Sequence, residues 1–235
     1  MAKFAPMEHD LQRRLMLTED GSHTIYVPEL EEHYHSVHGA VQESVHVFIQ
    51  NGLQRCQKQK LTILEAGFGT GLNALLSLAG RGKRDIHYIS LEKYPLDESE
   101  YSRLNYSRFV PGTTQEQFLQ LHLSAWNKPV EIVKGFRLYK LKTDLTKTNL
   151  SSLAPVDLIY YDAFSPRKQP EMWEETLFRK IAACTADEGI FATYCAQGEV
   201  RRRLNRSGFR MQRLAGPPGK KEMLFGEKSG SARFC

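Results

Sequence analysis

Residues 61–72 read Leu-Thr-Ile-Leu-Glu-Ala-Gly-Phe-Gly-Thr-Gly-Leu, an apolar run ending in an acid and three alternating glycines. After it, Leu72, Leu75, Leu76 and Ala79 recur at i, i+3, i+4 and i+7. The pattern predicts a buried strand, a tight turn and an amphipathic helix. Glycines let the backbone approach a ligand closely, and the helix that follows begins with unpaired N–H groups. Turns of this kind hold nucleotide-like cofactors, although one also serves as a bare strand-to-helix connection. The dinucleotide fingerprint needs glycine at its first, third and sixth positions. Here the sixth position is Leu72, so that fingerprint fails.

The same alternation continues along the chain. Residues 85–91 form a second predicted strand ending in Glu92, 21 residues past Gly71. An acid there can accept hydrogen bonds from both hydroxyls of a ribose; alone, it is a surface group at a strand end. Residues 130–133 and 136–143 are extended around Lys134-Gly135, and the second stretch ends in Asp144. Asp144 lies either beside an adenine edge or at a helix N-cap. Residues 156–161 are a fourth strand, running into Asp162-Ala-Phe-Ser-Pro166. Ligands bind at the carboxyl ends of strands in open α/β sheets, so Asp162 is expected in one crevice with Gly67 and Glu92; the bland alternative is a loop-capping acid.

Strands are also predicted at 189–194, 209–214 and 221–226, the last two antiparallel because the Gly216-Pro-Pro-Gly219 link is short. Helices are expected at 40–53, 97–106, 115–125, 173–184 and 199–207, and residues 1–17 as an irregular lead-in to a turn at Asp20-Gly21. The fold class is therefore α/β, a parallel Rossmann-like sheet with a late antiparallel hairpin. Residues 1–53 are expected to pack as an extension on a domain at 54–226, with 227–235 as a flexible tail.

Composition narrows the function classes. No apolar run spans a bilayer and no signal core is present, so a cytoplasmic protein without a membrane is expected. Cys56, Cys184, Cys195 and Cys235 are too widely spaced for a zinc knuckle or redox pair. His33, His35, His38 and His46 cluster along the chain, but over a loop and a helix start, which suits hydrogen bonding better than a metal. The net charge is +5, with a pI near 9.0. From Cys195 to Cys235 there are ten Lys or Arg against three acids, a local excess of seven. Such an end is either a contact for a polyanion or a solvated basic face.

Three segments together carry a resemblance: Gly67-Phe-Gly-Thr-Gly-Leu-Asn73; Asp162-Ala-Phe-Ser-Pro166 with Met172-Trp173 and Leu177-Phe178; and Gly219-Lys-Lys-Glu-Met-Leu-Phe-Gly226. The chain resembles, over about residues 17–226, the class I S-adenosylmethionine-dependent methyltransferases that complete 5-methylaminomethyl-(2-thio)uridine at the tRNA wobble position. In many bacteria that activity is half of an enzyme whose other half is a flavin-dependent oxidase. Only nine residues follow Gly226, so the resemblance is to the stand-alone form, with no flavin domain in this chain.

The resemblance implies S-adenosylmethionine as cofactor, held by Glu65, Gly67, Gly69, Gly71, Asn73, Glu92, Asp144 and Asp162, with Tyr34, Glu43 and Ser44 closing over it. The substrate would be tRNA, with phosphates meeting Arg167, Lys168, Arg201, Arg202, Arg203, Lys220 and Lys221. The acceptor is a primary amine, protonated at neutral pH like lysine, and must lose a proton before it attacks. Asp162 is the candidate to take that proton, and Phe164 to stack on the base. Aminopropyl transfer on the same fold, methylation of another small amine, and an inactive cofactor-binding partner are the alternatives.

Overall fold

The computed structural model describes residues 12–153 and 155–230. Three short strands, β1 (Arg14–Leu17), β2 (His23–Val27) and β3 (Glu32–His33), form an antiparallel sheet of their own. The turn expected at Asp20-Gly21 forms: Asp20 Oδ1 accepts from Thr18 Oγ1 at 2.7 Å and from the Ser22 amide at 3.0 Å. Residues 14–17, expected to be irregular, are instead a strand, because the turn returns the chain to pair Arg14 with Tyr26 and Leu17 with His23. Residues 1–11 of the expected lead-in lie outside the described residues.

Helix α1 (Ala40–Ser44) continues into a π-helical segment, Val45–Leu53. Asn51 Nδ2 reaches back to the His46 carbonyl at 2.8 Å, a side-chain donor of the kind that perturbs an α ladder. The segment buries Val47, Phe48, Ile49 and Leu53, and the Phe48 ring lies 5.0 Å from that of Tyr160. This part of the expected extension thus contributes directly to the main core.

The remaining chain builds one eight-stranded sheet. It follows as β4 (Lys60–Ala66), α2 (Leu72–Gly80), β5 (Asp85–Glu92), α3 (Glu98–Tyr101), α4 (Gln115–Leu123), β6 (Pro129–Val133), β7 (Phe136–Lys142), β8 (Val156–Tyr161), α5 (Glu175–Cys184), β9 (Thr185–Thr193), α6 (Gly198–Arg206), β10 (Phe209–Ala215) and β11 (Glu222–Lys228). The strand order is β10-β11-β9-β8-β4-β5-β7-β6. Strands β9, β8, β4, β5 and β7 are parallel, while β11 pairs antiparallel to both β9 and β10. Strand β8 is buried at every position, as a central parallel strand covered on both faces must be. One core holds the π-helical segment and α2; the other holds α5 and α6.

Two expectations change. The helix expected at 97–106 is a single turn, because the side chain of Asn105 is taken by the hairpin: it accepts from the His23 amide at 2.9 Å and donates to the Gly21 carbonyl at 3.0 Å. The last strand also runs past the expected boundary at 226, since Glu227 and Lys228 pair with Arg210 and Phe209. Residues 231–235 of the expected tail lie outside the described residues.

The glycine turn has one internal demand. Gly71 sits at φ +75°, and a Cβ there would come within 2.8 Å of His122 Nε2 and 3.3 Å of Phe68 Cζ. Gly71→Ala should therefore cost about 2 kcal/mol or more, read as a lowered urea midpoint. An unchanged midpoint would contradict this packing account.

Candidate functional site

A cavity of about 720 Å³ opens at the carboxyl ends of β4, β5, β7 and β8, with residues 30–38 forming its opposite wall. At its floor, the Gly69 amide donates to Glu92 Oε2 at 2.9 Å, and the Tyr94 amide to Glu92 Oε1 at 2.7 Å. The end of β5 thereby holds the turn that follows β4. Gly67 has φ +92°, and a Cβ there would meet only the Asp162 carbonyl, at 3.7 Å, so the turn's backbone stays open to a ligand. Behind the turn, His35 Nε2 meets Thr70 Oγ1 at 2.7 Å, and burial depresses His35 to about 4. Lys140, buried in β7, donates to the His122 carbonyl at 2.6 Å and lies 5.1 Å from the Phe68 ring centre. Burial lowers its pKa to about 7.

Asp162 faces the turn from the end of β8. Its Oδ2 accepts from Asn73 Nδ2 at 2.8 Å. Burial first, and the negative Glu43 second, raise Asp162 to about 7, against the lowering effects of Asn73 and Lys220. Glu43 accepts from the Ser36 amide at 2.7 Å and from Lys220 Nζ at 2.5 Å. Lys220 Nζ also lies 3.9 Å from the centre of the Tyr194 ring. The loop after Asp162 is fastened at successive carbonyls: Tyr194 Oη donates to Ala163 O and Trp173 Nε1 to Phe164 O, each at 2.8 Å. Glu32 of β3 accepts from both the amide and the hydroxyl of Ser165.

Of the residues singled out in the sequence, Tyr34, Glu43, Gly67, Gly69, Asn73, Glu92, Asp144, Asp162, Phe164, Lys168 and Lys220 line this one cavity. Asp144 lines the cavity; no helix starts after it, so it is not the helix N-cap of the second reading, and its Oδ1 instead accepts from the Thr146 amide at 3.0 Å in an Asx turn.

Others lie elsewhere, for physical reasons. Gly71 faces His122, and Ser44 is wholly buried away from the cavity. Glu65 is also wholly buried; it accepts from Ser90 Oγ at 2.8 Å, and burial raises its pKa well above the usual range. The arginines of α6 are largely neutralised by nearby acids. Arg202 pairs with Glu199 at 2.7 Å, and Arg203 with Glu199 and Glu174 at 3.3 and 3.4 Å. Arg201 lies on the same helix and is half-buried. Lys168 pairs with Glu31 at 2.9 Å, and Lys220 with Glu43, so both are engaged within the fold. Arg167 and Lys221 are exposed outside the cavity lining.

Sequence reasoning missed Tyr194, the grip of Glu32 on Ser165, and the pairing of Glu43 with Lys220. The last pair is separated by 177 residues, so no local pattern announces it. The histidines have separate partners: His35 meets Thr70, His38 meets Glu19 and His46 meets the Ala215 carbonyl. Among the described residues no helix is long and apolar enough to cross a membrane.

Residues 115–229 match the family of S-adenosyl-L-methionine-dependent methyltransferases. This sheet order, with the cavity at its carboxyl edge, is the Rossmann-like fold of the class I S-adenosyl-L-methionine-dependent methyltransferases. More narrowly, the chain is similar to the tRNA 5-methylaminomethyl-2-thiouridine biosynthesis bifunctional protein MnmC of Burkholderia multivorans, at 32% identity across 91% of this chain and 34% of that protein. It is 33% identical to the protein of the same name from Idiomarina loihiensis, across 86% of this chain and 36% of that one. The chain spans about a third of the length of these curated relatives. The crystal structure of MNMC2 from Aquifex aeolicus superposes with a TM-score of 0.73 at 23% identity, over 93% of this chain and 71% of that one.

The raised pKa of Asp162 has a stability consequence. The folded state binds a proton that the unfolded state has released between about pH 4 and pH 7, so stability falls as pH rises through that window. Asp162→Asn removes the penalty, and its stability relative to wild type should climb by about 1–3 kcal/mol across it. Urea unfolding at pH 5 and pH 8 reads this, and a pH-independent difference would contradict it.

Proposed function

We propose that this methyltransferase acts on tRNA, converting 5-aminomethyl-(2-thio)uridine at the wobble position to 5-methylaminomethyl-(2-thio)uridine. The observation that carries the reading is Asp162, held by Asn73 across one cavity from the glycine turn, with burial and Glu43 raising its pKa to about 7. The printed names of the relatives supply the substrate class.

The cavity's residues fit S-adenosylmethionine. Gly67 leaves the turn's backbone open, and Asn73 Oδ1 is a buried acceptor with no hydrogen-bond partner among the described residues. We assign Glu92 to the ribose hydroxyls, Asp144 with its neighbours to the adenine edge, and Gly67 and Gly69 to the amino-acid part. Tyr34, which packs edge-on against Phe164 at 5.1 Å, closes the opposite wall. The bound cofactor supplies an electrophilic methyl group on a sulfonium.

The protein's own task is to deliver a neutral amine. An aminomethyl group enters as an ammonium, and Asp162 binds it by charge and accepts its proton, leaving a lone pair for the methyl carbon. An ordinary aspartate lies about six pK units below an alkylamine of lysine type. Raising Asp162 to about 7 shortens that gap to roughly three units and makes the proton transfer less costly. Phe164, on the fastened loop, provides the face for the uracil ring. Among the described residues Cys56, Cys184 and Cys195 are free and buried, which suits a reducing cytoplasm.

The test is incubation with labelled cofactor and tRNA from cells lacking this step. Label should appear in the wobble nucleoside; folded protein that leaves it unlabelled overturns the reading. Asp162→Asn should lower turnover by about 10²-fold or more while cofactor affinity stays within a few-fold. Equal losses in both would move Asp162 from proton handling to cofactor binding.

A further inference from the structure

Four of the residues expected to meet phosphates, Arg202, Arg203, Lys168 and Lys220, are paired with acids, while Arg167 and Lys221 are exposed without an ion pair among the described residues; a further basic surface lies on the other side of the N-terminal sheet. A second groove, of about 770 Å³, lies where the turn between β1 and β2 meets the chain after α3. Among the described residues its lining includes Arg103, Arg108 and His23 but no Asp or Glu. Arg103 and Arg108 are exposed, and neither makes an ion pair among the described residues. Two large apolar side chains stand open beside them, Leu17 at 67% exposure and Phe109 at 36%. Isolated exposed apolar groups need no explanation, but an aromatic ring in one groove with unpaired arginines has the chemistry of a stacking platform for a polyanion carrying bases.

The groove adjoins the methyltransferase cavity through a shared wall. On one side, the Glu19 amide donates to the carbonyl of Val37 at 2.9 Å, and Val37 lines the first cavity. On the other, Phe109 Cζ lies 3.2 Å from where a Gly21 Cβ would be, and Asn105 donates to the Gly21 carbonyl. The turn at residues 18–22 is therefore a short rim between the two depressions.

We propose that this groove seats single-stranded nucleotides of the tRNA next to the one whose base enters the cavity. Arg103 and Arg108 meet their phosphates, and Phe109 with Leu17 takes a base. The proposal rests on the tRNA reading above. Charge complementarity favours an RNA strand, and the open ring favours unpaired bases over a duplex, whose bases are stacked inside.

The experiment measures tRNA binding across salt concentrations, alongside methyl transfer, with cofactor binding as the control for folding. Arg103→Ala with Arg108→Ala should weaken binding and lower the log–log salt slope by about 1.4, the value for two single-strand phosphates. Arg202→Ala with Arg206→Ala removes the same charge from α6, where Arg206 pairs with Glu175 at 2.6 Å, and should leave the slope unchanged. Phe109→Ala should weaken binding about tenfold with little change in slope. If wild type methylates tRNA and the Arg103/Arg108 variant matches its affinity and slope, the groove is overturned and the substrate reading stands. If wild type neither binds nor methylates tRNA, the substrate reading falls and takes the groove with it.

Discussion

The hydrogen bond from the Gly69 amide to Glu92, at 2.9 Å, ties together the ends of two neighbouring parallel strands. The glycine turn at the carboxyl edge of the sheet takes its place from that tie. A three-glycine turn is conformationally free in an unfolded chain, and something outside it must select one shape. Here Glu92 selects it from the β5 side, while His35 holds Thr70 from the N-terminal side. Phe68 anchors the turn beneath, packed against His122 with Lys140 over its ring. The result is a backbone open at Gly67 where a ligand can lie, and closed at Gly71 where the core needs the space.

Across the cavity the controlling effect is electrostatic. Asp162 loses water by burial and faces the negative Glu43, which together outweigh the hydrogen bond from Asn73 and the charge of Lys220. Lys220 in turn is held by Glu43 and by the face of Tyr194. The small N-terminal sheet belongs to this arrangement, since Glu32 grips the Asp162 loop at Ser165 and Glu31 holds Lys168. In the proposed reaction, the same burial that disfavours an ionised Asp162 makes it a better proton acceptor for an alkylamine.

Much of this was legible in the sequence because it is local or periodic. The glycine turn, the acids at strand ends and the Gly-Pro-Pro-Gly link each follow from spacing, and the strands they predict form with small shifts at their ends. Gly67, Glu92 and Asp162 converge on one cavity because parallel strands bring their carboxyl ends together. The pairing of the arginine run with acids was not legible. The count of charges stands, but Glu174 and Glu175 come from the start of α5 and Glu199 from α6 itself, and they pair with Arg202, Arg203 and Arg206. The strand at residues 14–17 and the broken helix at 97–106 were hidden too, since each is decided by a partner brought in by the fold.

The most direct measurement is calorimetric titration of S-adenosylmethionine into the wild-type protein and into Glu92→Gln, with thermal unfolding of both as the folding control. The account predicts one cofactor per chain for wild type and affinity weaker by about tenfold or more for Glu92→Gln, the cost of roughly one charge-assisted hydrogen bond. A wild-type protein that does not bind, or a folded Glu92→Gln variant that binds as tightly, would contradict it.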